Sequence, residues 1–144
     1  LPDIEEVVDF PPYSPPNYEA AGWGSSGTQN YICGTSVTAA SSANSKGSWA
    51  QLIASTTRKV VGIVVLMHQS GTGKFMVDIG TGASGSESVL IPDVYVNFGG
   101  SYGAGSAAVF FPVQIPAGTR IAARCQCSTA SAVIYVVLGL METE

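Results

Sequence analysis

The chain has 144 residues, which is enough for one domain built on one core. Hydrophobic residues make up 46% and charged residues 11%, against the roughly 25% charged usual in soluble domains. These values exclude a disordered chain, which is richer in charge and poorer in apolar side chains, and a coiled coil, which needs many Glu, Lys and Leu. The longest apolar runs, Val60–Met67 and Ala132–Met141, stop far short of the roughly 20 residues that cross a bilayer as a helix, so no membrane partner is expected.

The net charge of −4 is unevenly spread. Residues 1–20 hold Asp3, Glu5, Glu6, Asp9 and Glu19 and no Lys or Arg. The body carries all six basic residues against Asp78, Glu87 and Asp93, and Glu142 and Glu144 close the chain. An acidic arm therefore precedes a mildly basic body. The basic excess is too small for a nucleic-acid partner, which needs a basic stripe.

Residues 1–21 read as an extended arm and residues 22–144 as the folded domain. Pro2, Pro11, Pro12, Pro15 and Pro16 bias the arm toward polyproline II and away from helix. Ile4, Val7, Val8 and Phe10 interrupt its acids, and Tyr13, Tyr18 and Trp23 follow. Apolar residues so placed suit an arm that docks on a partner. Pro15-Pro16-Asn17-Tyr18 also has the form of a WW-domain ligand, although stiffening of the arm is the better account of so short a motif in a Pro-rich segment.

Residues 22–48 form a Gly/Ser/Thr-rich connection, and short strands are expected within Ser36–Ser55. From residue 59 the pattern is strand and turn. Lys59–Gln69 is rich in β-branched residues, and Lys74–Ile79 alternates with Phe75, Val77 and Ile79 on one face. Gly80–Gly85 reads as a loop, and Ser88–Val96 as a strand that Pro92 confines to an edge or a bend. After a Gly99–Gly105 loop, Ala107–Ile115 alternates, with Val109, Phe111, Val113 and Ile115 inward. Pro116-Ala117-Gly118 is a tight turn. Thr119–Cys127 returns with Ile121, Ala123, Cys125 and Cys127 inward and Arg120, Arg124 and Gln126 outward. Ser131–Met141 is the last strand.

Short strands at this spacing predict an all-β protein, a jelly-roll-like antiparallel sandwich of about eight strands. Two strands, Val60–Met67 and Ala132–Met141, are apolar on both faces. A strand in a two-sheet sandwich needs only one apolar face, so a second cover is expected, most simply a neighbouring subunit.

The chemical motifs fail on context. Gly80-Thr81-Gly82-Ala83-Ser84-Gly85 follows a strand but precedes strand-like residues, where a dinucleotide site needs a helix. Gly71-Thr72-Gly73-Lys74 lacks the first glycine of a phosphate loop and has Phe75 where Ser or Thr should stand. His68 is the sole histidine, with Asp78 and Asp93 its nearest carboxylates by strand placement. Asp78 and Glu87 are the only body acids that could act as a glycosidase pair. Zinc would need more ligands than Cys33, Cys125, Cys127 and His68 supply at suitable spacing. The cysteines, odd in number and with two spaced for one strand face, read as free thiols of a reducing compartment. No enzyme, cofactor or metal is expected.

The phrases Asp78–Glu87, Val89-Leu90-Ile91-Pro92 and Ile115–Arg124 resemble small structural proteins of tailed bacteriophages. The likeness spans roughly residues 50–141 and lies in strand-and-turn phrasing, with no diagnostic motif, so no family site residue transfers. Jelly-roll decoration (cement) proteins of the capsid are the nearest kind. The resemblance implies a virion protein assembled in the host cytoplasm, a homo-oligomer (a trimer in that family), and the major capsid protein as partner. Arg120, Arg124, Phe110 and Tyr135 are the body residues expected at a subunit or capsid contact. The alternative is a tail-fibre module that binds a receptor or carbohydrate through Gly80–Gly85 and Phe98–Gly105, with Tyr95, Phe98 and Tyr102 stacking on sugars.

Overall fold

The computed structural model describes residues 34–68, 73–98 and 106–143, without the side chains of Ser106 and Ala107. The arm with its seven anchor residues, its boundary at residue 21, Cys33 and the loop bearing Tyr102 lie outside the described residues. The described chain contains no helix. It forms eight strands: β1 (Thr35–Thr38), β2 (Ala50–Ile53), β3 (Val60–His68), β4 (Gly73–Thr81), β5 (Ser88–Phe98), β6 (Ser106–Phe111), β7 (Ile121–Cys127) and β8 (Val133–Glu142).

The strands pair antiparallel in nested fashion, β1 with β8, β2 with β7, β3 with β6 and β4 with β5. Rolling that ribbon brings β3 beside β8 and β4 beside β7. Two four-stranded sheets result, ordered β1-β8-β3-β6 and β2-β7-β4-β5. This is the expected jelly-roll-like sandwich.

The core lies between the sheets. Ile63, Val65 and Met67 of β3 and Ile134, Val136, Leu138 and Leu140 of β8 face Phe75, Val77 and Ile79 of β4 and Ile121, Ala123, Cys125 and Cys127 of β7, all essentially inaccessible to water. The period-2 alternation expected for β4 and β7 is therefore present. Pro92 falls in edge strand β5, where the register with β4 shifts between Val77↔Val94 and Ile79↔Ile91. The extra residue is accommodated by a left-handed Asp93 at φ 50°, a bulge at the place where proline removes a ladder donor.

Most strand ends differ by one or two residues from the sequence pattern, and three differences have a visible cause or consequence. The strand expected over Ala107–Ile115 ends at Phe111, because Pro112 has no N–H to continue the ladder. Ile115 instead exchanges two hydrogen bonds with Val60, at 2.8 and 2.9 Å, and keeps its inward position. The strand expected from Thr119 begins at Ile121, since the Thr119 N–H is taken by Thr56 Oγ1 at 3.0 Å. β4 runs on through Gly80 and Thr81 before the loop begins.

Alternation places Leu138 in the core and Leu66 on the outer surface. Leu138→Ala should cost about 2–5 kcal/mol through lost burial and a residual cavity. Leu66→Ala should stay within about 0.5 kcal/mol. Urea unfolding midpoints of the two variants check the assignment of faces.

Candidate interaction surfaces

The two sheets differ in charge: the ion pairs lie on β2-β7-β4-β5, which also exposes Met76, Val89 and Tyr95. On the outer face of β2-β7-β4-β5 the side chains form a charge network centred on Asp78, which is 3% exposed. Its carboxylate accepts from Lys46 Nζ at 2.7 Å, Arg124 Nε at 2.8 Å and the Asp93 N–H at 2.9 Å. Lys46 also donates to Asp93 at 2.6 Å. Arg124 stacks over Trp49, 4.7 Å from the ring centroid, and the Trp49 ring lies over Gly80, where a Cβ would come within 2.6 Å of it. A second pair follows along the face: Arg120 donates to Glu87 at 2.8 Å, to Gln51 at 2.9 Å and to the Gly82 carbonyl.

Burial pushes the Asp78 carboxyl up, but the hydrogen bonds from Lys46, the Asp93 N–H and Arg124 outweigh it and hold it below the usual carboxylate range. For Glu87 burial again pushes upward, and the surrounding N–H donors and Arg120 bring the net shift down. Each acid is held by a cation, Asp78 by Lys46 and Arg124 and Glu87 by Arg120. A groove of about 570 Å3 runs beside Ser36, Thr38, Lys46 and Trp49, and Lys46 is its one ionisable lining group.

The outer face of β1-β8-β3-β6 is apolar. The two strands expected to be apolar on both sides, β3 and β8, are neighbours at its centre. Leu66 of β3, Met141 of β8 and Phe110 of β6 are its exposed apolar side chains, while outward Val64 is half-buried and outward Val137 is buried. Leu66 is 39% exposed, Met141 44% and Phe110 51%. The Phe110 ring and Met141 sulfur lie over Gly62, where a Cβ would clash with the ring at 2.8 Å. No Asp, Glu, Lys or Arg points outward from this sheet, and exposed Ser36 and Thr38 of β1 form a polar rim.

His68 sits on this face opposite Tyr135, with ring centroids 6.4 Å apart, and its Nδ1 has no hydrogen-bond partner. The expected proximity of His68 to Asp78 and Asp93 does not occur, because those acids belong to the other sheet's outer face. The four body contact residues likewise divide. Phe110 and Tyr135 share the apolar face, whereas Arg120 and Arg124 sit on the charged one. The sequence reading missed Lys46 as a partner of Asp78 and Trp49 as the ring against Arg124, since loop residues carry no period, and it missed the Asp93 N–H, which a bulge in β5 turns toward Asp78. It also missed Leu66 and Met141, although the doubly apolar runs contained them.

Cys125 and Cys127 are free and buried, side by side on the inner face of β7. Burial pushes the Cys125 thiol up to about 12, which keeps it protonated and inert. Among the described residues no group of three His, Cys, Asp or Glu could hold a metal ion. Tyr95 is exposed at 55%, whereas Phe98 packs against the core. Comparison with protein-family models, curated proteins and solved structures finds no match.

The lowered carboxyl of Asp78 fixes a sign. Its contribution to stability is complete above the unfolded carboxyl value of about 3.9 and is lost as pH falls through the lower folded value. Asp78→Asn should cost about 1–3 kcal/mol at neutral pH by removing charged hydrogen bonds. The variant should also show a shallower fall in stability between neutral and strongly acid pH, read from thermal melts. In the native protein Cys125 should resist thiol reagents at pH 8 and react on unfolding, which timed thiol titration measures.

Proposed function

We propose that the chain is a structural subunit of a tailed-phage particle, a capsid decoration (cement) protein that acts by packing rather than by catalysis. The observation that carries this reading is the uncharged apolar face of β1-β8-β3-β6. An apolar centre with a polar rim is the anatomy of a protein interface. Burying such a surface yields roughly 25 cal/mol per Å2, and repetition over a lattice multiplies contacts that are individually weak. The phage-like phrasing of residues 50–141 supplies the biological setting.

In this reading the partners are further copies of the chain, as a homotrimer, and the major capsid protein. The site of action is the virion, assembled in the host cytoplasm. Phe110 and Tyr135 serve the contact between subunits. Arg120 and Arg124, engaged by Glu87 and Asp78, brace the opposite sheet. The acidic arm adds contacts along a neighbouring capsomer.

The test uses purified shells that lack decoration. The full chain should load them, and Leu66→Asp or Phe110→Asp should lower occupancy by more than about tenfold, because either variant forces a charge into an apolar contact. Circular dichroism should show both variants folded. Equal loading by the variants and the parent would refute the role of the face. Bare shells together with binding to a glycan array would place the chain on a tail fibre instead.

A further inference from the structure

Among the described residues the two sheets end in β1, β6, β2 and β5. Three of these edges are poor templates for another strand. β1 and β2 are four residues each, and β5 is broken at Pro92 and the left-handed Asp93. β6 is different. It keeps an unshifted register with β3 over six pairs, from Ile63↔Phe111 to His68↔Ser106. Its sequence, Ser106-Ala107-Ala108-Val109-Phe110-Phe111, has no charge, no proline and no glycine. Charge, proline and bulges are the devices that keep strands from adding to an edge, and β6 has none of them.

The core is also incomplete along this edge. Ile63 and Val65 of β3 point inward and are 0% exposed. Val109 and Phe111 of β6 point the same way yet are only half-buried. The inward residues of the edge strand in the other sheet, Ile91, Val94 and Val96 of β5, are all buried. On the outer side of β6, Ala108 and Phe110 are exposed. The edge thus presents apolar side chains on both of its faces, which suits an added strand that is apolar on both faces too.

Size identifies that strand. β6 is small in its first half and large in its second, with Val109 between Ala107-Ala108 and Phe110-Phe111. On the β3 side the two alanines are met by long side chains, Met67↔Ala107 and Leu66↔Ala108. A second β6 run antiparallel about Val109 meets them in the same way. It sets Phe110 opposite Ala108 of the other copy and Phe111 opposite Ala107 of the other copy, and the two-fold symmetry repeats both matches.

We infer that two copies of the chain pair through β6, antiparallel and two-fold about Val109, joining two four-stranded sheets into one of eight strands. The pairing uses both β6 edges, so it stops at two copies. It covers the open flank of the core beside Val109 and Phe111. It also brings Leu66 and Phe110 of both copies onto one sheet surface. This edge contact is separate from the face contacts of the particle role and does not rest on that role.

Hydrogen exchange on the full chain tests the pairing. Over a roughly hundredfold rise in concentration, alternate amides within Ala107–Phe111 should gain about tenfold protection, with Ala123 and Cys125 in β7 unchanged. Sedimentation should show one copy becoming two over the same range. Ala108→Lys, a charge placed at an exposed position of the edge, should abolish both changes while circular dichroism stays that of the parent. Register is read separately in a Cys33→Ser background. Chains with Ala108→Cys mixed with chains with Phe110→Cys should form a mixed disulfide at least about fivefold faster than either forms with its own kind. Protection that does not change with concentration would overturn the inference, since the edge would then be free or covered by its own chain. So would a dimer that survives Ala108→Lys, or disulfide formation without preference for the mixed pair. A chain that pairs through β6 yet leaves shells bare would refute the particle role alone.

Discussion

The pairing of β3 with β8 governs the rest of the molecule. It runs from Val60↔Glu142 to His68↔Tyr135, and it sets the two most apolar segments side by side at the middle of one sheet. Their inward residues supply much of the core. Their outward residues, which alternation cannot hide, merge into a single apolar surface. Neither strand alone would make such a surface, because one row of exposed apolar side chains is ordinary. Here Leu66, Met141 and Phe110 stay exposed on one sheet face while Val137 is buried, which concentrates exposed apolar surface in the manner of an interaction site.

The opposite sheet handles its outward face differently. Small residues, Gly80 and Ala122, lie paired across β4 and β7, and Trp49 covers the glycine. Beside them Asp78 gathers two cations and a backbone donor, while Met76 and Tyr95 of the same sheet stay exposed. The charges of the sandwich are thus gathered on one sheet, while exposed apolar side chains occur on both: Leu66, Phe110 and Met141 on one, Met76, Val89 and Tyr95 on the other. The low charge of the chain has its structural location in that difference.

Much of the fold was legible because strands write their period into the sequence. Phe75, Val77 and Ile79, and then Ile121, Ala123, Cys125 and Cys127, declared their faces by alternation alone. The two doubly apolar runs declared the need for a cover. Sequence could not reveal that these runs are neighbours, since nested pairing joins residues far apart in the chain. Nor could it place Lys46 beside Asp78, because a loop side chain is positioned by tertiary contacts. Thr119 and Ile115 were misassigned to strands for the same reason: their inward or turn-facing positions are held by Thr56 and Val60 from distant segments.

The bulge in β5 bears on the form an assembly can take. A regular edge strand is a template on which sheets add to one another without limit, the geometry of fibres. Here the longest strand is an outer one, and Pro92 with the left-handed Asp93 breaks its ladder midway. β1 and β2, at the other ends of the two sheets, are four residues each. Growth by edge pairing is thus blunted along β5, β1 and β2. Contacts made through a face, unlike those made along a strand edge, are saturated once the face is covered.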